Sequence, residues 1–152
     1  MLRTGDRPRR RCAGILVSVP PDHPQQSTWD AVDRALEAWL APQDDALLAP
    51  ALLPYEVMNG LRSAERLKRI DADTASKARA RMAAFPWSYD VHGSESALRD
   101  VTRISVAHGL TAYDASYLEL AARQGCPLVT LDAGLRKAAH AVHVKVLPRT
   151  AA

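Results

Sequence analysis

Aromatic residues are scarce in this chain of 152 residues, which has one Phe, three Trp and four Tyr. Strands of an all-β sandwich draw heavily on aromatic and β-branched side chains, whereas Ala and Leu, plentiful here, favour helices. The shortage therefore argues for helices packed on a sheet. Cysteine is nearly absent: Cys12 and Cys126 stand alone and far apart, which excludes a disulfide framework and any Cys-based metal centre. Reduced thiols are the expectation, although the count leaves a single disulfide open. No apolar run approaches the roughly 20 residues needed to span a bilayer, so no membrane association is expected. The Arg-rich start followed by 12–19 imitates a secretory leader only faintly. Its apolar stretch is short, ends in Pro20-Pro21 and has no small-x-small cleavage pattern behind it, so a cytoplasmic protein is expected.

Charge is modest and unevenly placed. The net charge is +3, but residues 1–11 hold Arg3, Arg7, Arg9, Arg10 and Arg11 against Asp6 alone, leaving 15 basic and 16 acidic residues in the remainder. The positive balance thus belongs to a short leader and is poor support for a domain-wide nucleic-acid surface. With 47% hydrophobic and 24% charged residues, global disorder is excluded. No repeat or low-complexity linker divides the chain. We read an atypical Arg-rich segment over 1–13 and one domain over 14–148.

Periodicity supplies the elements. The run 14–19 is apolar, strand or helix by pattern alone, and the prolines at 20, 21 and 24 end it. An amphipathic helix is predicted over about 28–40, with Trp29, Val32, Leu36, Trp39 and Leu40 on one face. The Trp pair reads as core or subunit contact. A brief strand over 45–49 precedes a helix from Pro54, with Val57, Leu61, Ala64 and Leu67 spaced for burial. Asp71 or Asp73 opens a further helix that ends before Pro86. Residues 87–91 form a short strand or extended loop, and 94–108 a helix stopped by Gly109, with Leu110 packing back. A helix over 111–123 stops at Gly125. A strand over 127–131, a helix over 133–140 and a strand over 143–147 complete the pattern. Strands alternating with helices imply an α/β/α sandwich around a central, mostly parallel sheet.

Three acids fall where such a fold gathers function. Asp132 directly follows a strand, at the carboxyl edge where open α/β sheets bind ligands. Asp114 and Glu56 each sit in the first turn of a helix, with Asn59 one turn beyond Glu56. Each also has an ordinary structural explanation. Acids in a first turn complement the helix dipole by roughly a few tenths of a kcal/mol, and Asp132 can simply cap the helix after it. His140 and His143 lack a third nearby ligand in the sequence and read as structural or surface residues.

The wording around these acids is more specific. Leu110-Thr-Ala-Tyr-Asp-Ala-Ser-Tyr-Leu-Glu-Leu-Ala121, followed by Pro127-Leu-Val-Thr-Leu-Asp-Ala-Gly-Leu135, resembles the PIN-domain family and, within it, VapC-type toxin ribonucleases. Pro54-Tyr-Glu-Val-Met-Asn-Gly-Leu-Arg62 matches the family's other internal motif, and the likeness extends over about 25–147. The resemblance implies an endoribonuclease in which acidic side chains converge on Mg²⁺ or Mn²⁺. It also implies a cognate antitoxin protein as partner and a homodimer. Carried onto this chain it assigns catalysis and metal binding to Glu56, Asp114 and Asp132. Clustered carboxylates repel one another unless a cation lies between them, and hard oxygen donors suit Mg²⁺. Asn59 would support Glu56. Thr130, two positions before Asp132, would orient a water or would simply be a buried strand residue.

One family feature is missing. The resemblance implies a first strand ending in Asp, which counting back from the loop at 20–24 places near residues 9–11, where this chain has Arg9-Arg10-Arg11. Three explanations remain open: a misplaced start or frameshift, a decayed inactive copy, or recruitment of Asp6 or Asp22. The alternative function is therefore a catalytically impaired PIN-like module that binds RNA or a protein partner. A phospho-receiver domain also clusters acids on an α/β sheet, but the order of the acids here does not match one. Arg62, Arg66, Lys68 and Arg69, with Lys77, Arg79 and Arg81 beyond them, could track an RNA backbone, or could be a solvated helical face.

Overall fold

In the computed structural model, residues 12–16, 46–85, 87–91 and 94–147 are described. The helix read over 28–40, with Trp29 and Trp39, lies outside them, as do Asp6 and Asp22. Strands β1 (Cys12–Leu16), β2 (Ala46–Pro50), β3 (Trp87–Asp90), β4 (Leu128–Val129) and β5 (Val146–Leu147) form one sheet in the order β3-β2-β1-β4-β5. All four pairings are parallel. Parallel neighbours cannot be joined by tight hairpins, so each connection needs a crossover. The chain lays β2 and β3 on one side of β1, then places β4 and β5 on the other. That reversal makes the carboxyl ends of β1 and β4 a topological switch point, where a crevice opens for ligands.

The helices begin and end where local chemistry dictates. Helix α1 (Leu53–Arg66) starts with Pro54, whose missing N–H has no partner to lose in a first turn. Helix α2 (Ala72–Ala84) is capped by Asp71, which accepts the Thr74 N–H at 2.7 Å, and it stops ahead of Pro86. The helical run over 94–108 contains α3 (Ser94–Ser96), a π-helical segment (Ala97–Val101) and α4 (Thr102–His108). Gly109, at φ 64°, takes the left-handed conformation that ends α4. Leu110 then folds back, its N–H donating to the Ser105 carbonyl at 3.0 Å and its carbonyl accepting from Ser105 Oγ at 2.7 Å. Helix α5 (Ala112–Gln124) ends at Gly125 in the same way, and α6 (Ala133–Ala141) follows β4.

Helix α5 is the centre of the core. Ala115, Tyr117, Leu118, Leu120 and Ala121 are buried, and α5 packs on β1, β2, β4, α4 and α6. Even its Glu119 is buried, accepting from Arg123 Nε at 2.8 Å, while Arg123 Nη2 reaches Asp90 at the end of β3 at 2.6 Å. Burial works against the Arg123 charge, but its hydrogen bonds to Glu119 and Asp90 outweigh that and hold its pKa above the ordinary value.

Several boundaries differ from those read off the sequence. β1 begins at Cys12, ahead of the run expected from residue 14. β4 and β5 are two residues each, shorter than the predicted 127–131 and 143–147. Their flanks still pair, since the Leu128 N–H donates to the Lys145 carbonyl at 2.8 Å and the Thr130 N–H to the Leu147 carbonyl at 2.9 Å. The chain then turns at Thr130 to open α6. Leu67, expected in the core, is 53% exposed because α1 ends at Arg66 and Leu67 belongs to the turn. Cys126 is buried and disulfide-bonded, so the expectation of reduced thiols does not hold there.

Candidate active site

Glu56 and Asp114 are brought together by two helix starts. β2 ends at Pro50 and α1 opens three residues later, so Glu56 stands in the first turn of α1, close to the carboxyl edge of the sheet. Thr111 caps α5: its Oγ accepts the Asp114 N–H at 3.1 Å and donates to Asp114 Oδ2 at 2.7 Å. The cap thereby fixes the Asp114 carboxylate as well as the helix. One turn further along α5, on the same face, the buried Tyr117 donates its hydroxyl to Glu56 Oε2.

Electrostatics at this pair follow from burial and like charge. Burial raises the Glu56 carboxyl above its ordinary pKa; the hydrogen bond from Tyr117 opposes that rise and the charge of Asp114 adds to it. The Tyr117 hydroxyl is pushed up as well, by burial first, then by its bond to Glu56 and the charges of Glu56 and Asp114. Two acids in such proximity favour a cation between them.

Asp132 occupies its own hydrogen-bonded turn. It caps α6, with Oδ1 accepting the Leu135 N–H at 2.7 Å, while its own N–H donates to Thr130 Oγ1 at 3.1 Å. Thr130 is 4% exposed, and its carbonyl accepts from Arg136 Nη1 at 2.8 Å. Thr130 therefore shapes the backbone that presents Asp132. A Cβ at Gly134 would stand 3.3 Å from Asp132 Oδ1, so any side chain there would crowd the carboxylate.

The three acids share one pattern. Each has one carboxylate oxygen tied by a protein donor: Glu56 Oε2 by Tyr117, Asp114 Oδ2 by Thr111, Asp132 Oδ1 by the Leu135 N–H. The second oxygen of each has no hydrogen-bond partner among the described residues. Such oxygens are hard donors of the kind Mg²⁺ and Mn²⁺ take. Asp114 lies near enough to Glu56 for its charge to act on it, but among the described residues no group of three Asp, Glu, His or Cys side chains is gathered as a metal site.

Other expected residues fall as follows. The hydrogen bond to Glu56 comes from Tyr117, whereas Asn59 is exposed and lines an open hollow of about 510 Å³ with Arg62, Ser63, Glu65 and Arg66. Lys68 and Arg69 line a neighbouring hollow of about 470 Å³ with Glu65, Ile70, Asp71 and Ala72. Arg62 pairs with Glu65 at 3.3 Å, and Lys68 holds a left-handed φ of 55° at the end of α1. The central strand β1 starts after Arg9-Arg10-Arg11, so those arginines precede it and are not at its carboxyl end. In the sequence Leu16 is followed by Val17, Ser18 and Val19, and the next acid is Asp22. Tyr117 is the site residue that sequence reasoning missed. Its spacing of three from Asp114 is the available signal, since that spacing puts both on one helix face.

Fold and site together define a parallel α/β domain with carboxylates at the carboxyl edge of its sheet. The PIN domain family model matches residues 27–141, a span that contains Glu56, Asp114 and Asp132. The chain belongs to the PIN domain family. It is 36% identical over 81 residues to Ribonuclease VapC3 of Pyrobaculum aerophilum, a match covering 53% of this chain and 62% of that relative. The chain thus spans less than two-thirds of that relative's length. The crystal structure of PAE2754 from Pyrobaculum aerophilum superposes with a TM-score of 0.60 at 30% identity, covering 84% of this chain and 86% of that one. No helix among the described residues is long and apolar enough to cross a membrane.

Proposed function

We propose that the chain is a metal-dependent endoribonuclease, the toxin of a toxin–antitoxin pair, acting in the cytoplasm as a homodimer restrained by a cognate antitoxin. The observation that carries this reading is the Glu56–Asp114 pair at the carboxyl edge, each acid anchored through one oxygen and open at the other. Family membership and the likeness to Ribonuclease VapC3 support it. Glu56, Asp114 and Asp132 would hold Mg²⁺ or Mn²⁺. When bound, that ion supplies an activated water and neutralises charge developing on the phosphate. Tyr117 and Thr111 anchor the Glu56 and Asp114 carboxylates, and the first turn of the helix after Asp132 anchors the third. Arg62, Arg66, Lys68 and Arg69, exposed at the end of α1 and in the turn after it, would contact the RNA backbone. Glu65 and Asp71 interrupt that surface, which limits how far it attracts phosphates.

A second reading, a catalytically impaired module that binds RNA or a protein, is favoured by one observation: no acid follows β1 in the sequence before Asp22. Incubation of the purified protein with structured RNA and Mg²⁺ or Mn²⁺ separates the two. The enzyme reading expects cleavage that Asp114→Asn abolishes, and equal cleavage by the variant rejects it. Failure of the wild-type chain to cleave or to bind Mn²⁺ in calorimetry favours the module.

A further inference from the structure

We infer that Tyr117 is a positioning residue for the metal site: its hydroxyl fixes Glu56 through Oε2 so that Oε1 is presented to the cation. This rests on the metal-nuclease reading above. Three observations carry it. Tyr117 is fully buried in the core of α5, so its ring has no freedom to swing away. Its hydroxyl reaches across 61 positions of sequence to a carboxylate on another element, a contact with no role in capping or in either helix's own hydrogen bonding. It also lies one turn from Asp114 on the same face, so α5 delivers both a ligand and the support of a second ligand from one rigid helix.

The parallel with the other two acids sharpens the assignment. Asp114 is tied by Thr111 and Asp132 by a helix N–H, both local contacts that would exist in any well-capped helix. Glu56 sits past the cap of α1, where no side-chain cap is present, so its carboxylate has no such local anchor. The long side chain of a glutamate, left alone, would sample many rotamers, and the Tyr117 hydroxyl selects among them. Outer contacts of this kind orient metal ligands, and their loss weakens metal binding by roughly 10- to 100-fold.

Mn²⁺ titration by calorimetry on the full chain tests the assignment with wild type, Tyr117→Phe, Glu56→Gln and the double variant. Tyr117→Phe is expected to weaken Mn²⁺ binding about tenfold, with the far-ultraviolet spectrum unchanged. In the Glu56→Gln background the same change is expected to add nothing, whereas a merely structural tyrosine would weaken both backgrounds alike. Unchanged affinity in Tyr117→Phe, or equal loss in both backgrounds, overturns the role of Tyr117 while leaving the metal reading standing. Absence of Mn²⁺ binding by the wild type overturns both. A reading that needs no variant at Tyr117 comes from protein labelled at the tyrosine ring carbon bearing oxygen. Added Mg²⁺ is expected to shift the Tyr117 resonance in the wild type and not in Glu56→Gln, and an unmoved wild-type signal counts against the assignment.

Discussion

Replacing Asp132 by Ala and by Asn separates two roles that the residue can hold at once. As the cap of α6, Asp132 accepts the Leu135 N–H at 2.7 Å, and that helix buries Leu135, Ala138 and Ala139 in the core. Ala leaves the N–H without an acceptor and is expected to cost about 1 kcal/mol, within the range of roughly 0.5–2 kcal/mol for lost caps. In a chain of this size that corresponds to a fall of roughly 2–4 °C in Tm. Asn keeps an acceptor oxygen at the same place, and Asn and Asp cap about equally well, so its cost is expected to stay below about half that of Ala. Metal binding divides differently, because neither Ala nor Asn offers a charged carboxylate. Both variants are expected to lose Mn²⁺ binding and RNA cleavage. Urea unfolding in chelator gives the stability of each variant, and calorimetry with Mn²⁺ gives the affinity. An Asn variant as unstable as Ala would refute the cap; an Asn variant that binds Mn²⁺ and cleaves like wild type would leave Asp132 a cap alone.

Two further outcomes test the rest of the structure. Burial raises the Glu56 pKa in the fold, so its ionised form weakens the metal-free protein: the favourable contribution is complete below the ordinary value of about 4.5 and disappears as pH rises through the higher folded value. Glu56→Gln is therefore expected to be more stable than wild type at pH 7 in chelator, with the difference vanishing in acid; a difference that does not change with pH in urea titrations would contradict this. Leu118→Ala opens a cavity at a fully buried position of α5 and is expected to cost about 2–5 kcal/mol, and a loss below about 1 kcal/mol in the same assay would mean that α5 is not the centre of the core.

What could be read in advance was governed by distance along the chain. Asp71, Thr111 and Asp132 each accept a backbone N–H three residues ahead, and Gly109 and Gly125 terminate helices by adopting φ of 64° and 65°. These contacts lie within a few residues, so residue type and spacing disclose them. The short strands resisted the same reading. Pro127 to Leu131 is apolar apart from Thr130, yet only Leu128 and Val129 pair as a strand, since the ends of β4 depend on where its neighbours β1 and β5 stop. Leu67 fits the apolar spacing of α1, but where the helix ended left it in solvent.

The sequence by itself determined the caps at Asp71, Thr111 and Asp132, the stops at Gly109 and Gly125, the α/β class, and through its motifs the family and the three acids worth testing. Tertiary structure alone decided that Asp114 comes near enough to Glu56 for its charge to act on it, and that Tyr117 rather than Asn59 hydrogen-bonds Glu56. The physical reason is that a cap closes over three residues, whereas the meeting of Glu56 with Tyr117 depends on the order of strands in the sheet and on how α5 lies across it. Periodicity within one element specifies which face is buried, but not which distant side chain it will find there.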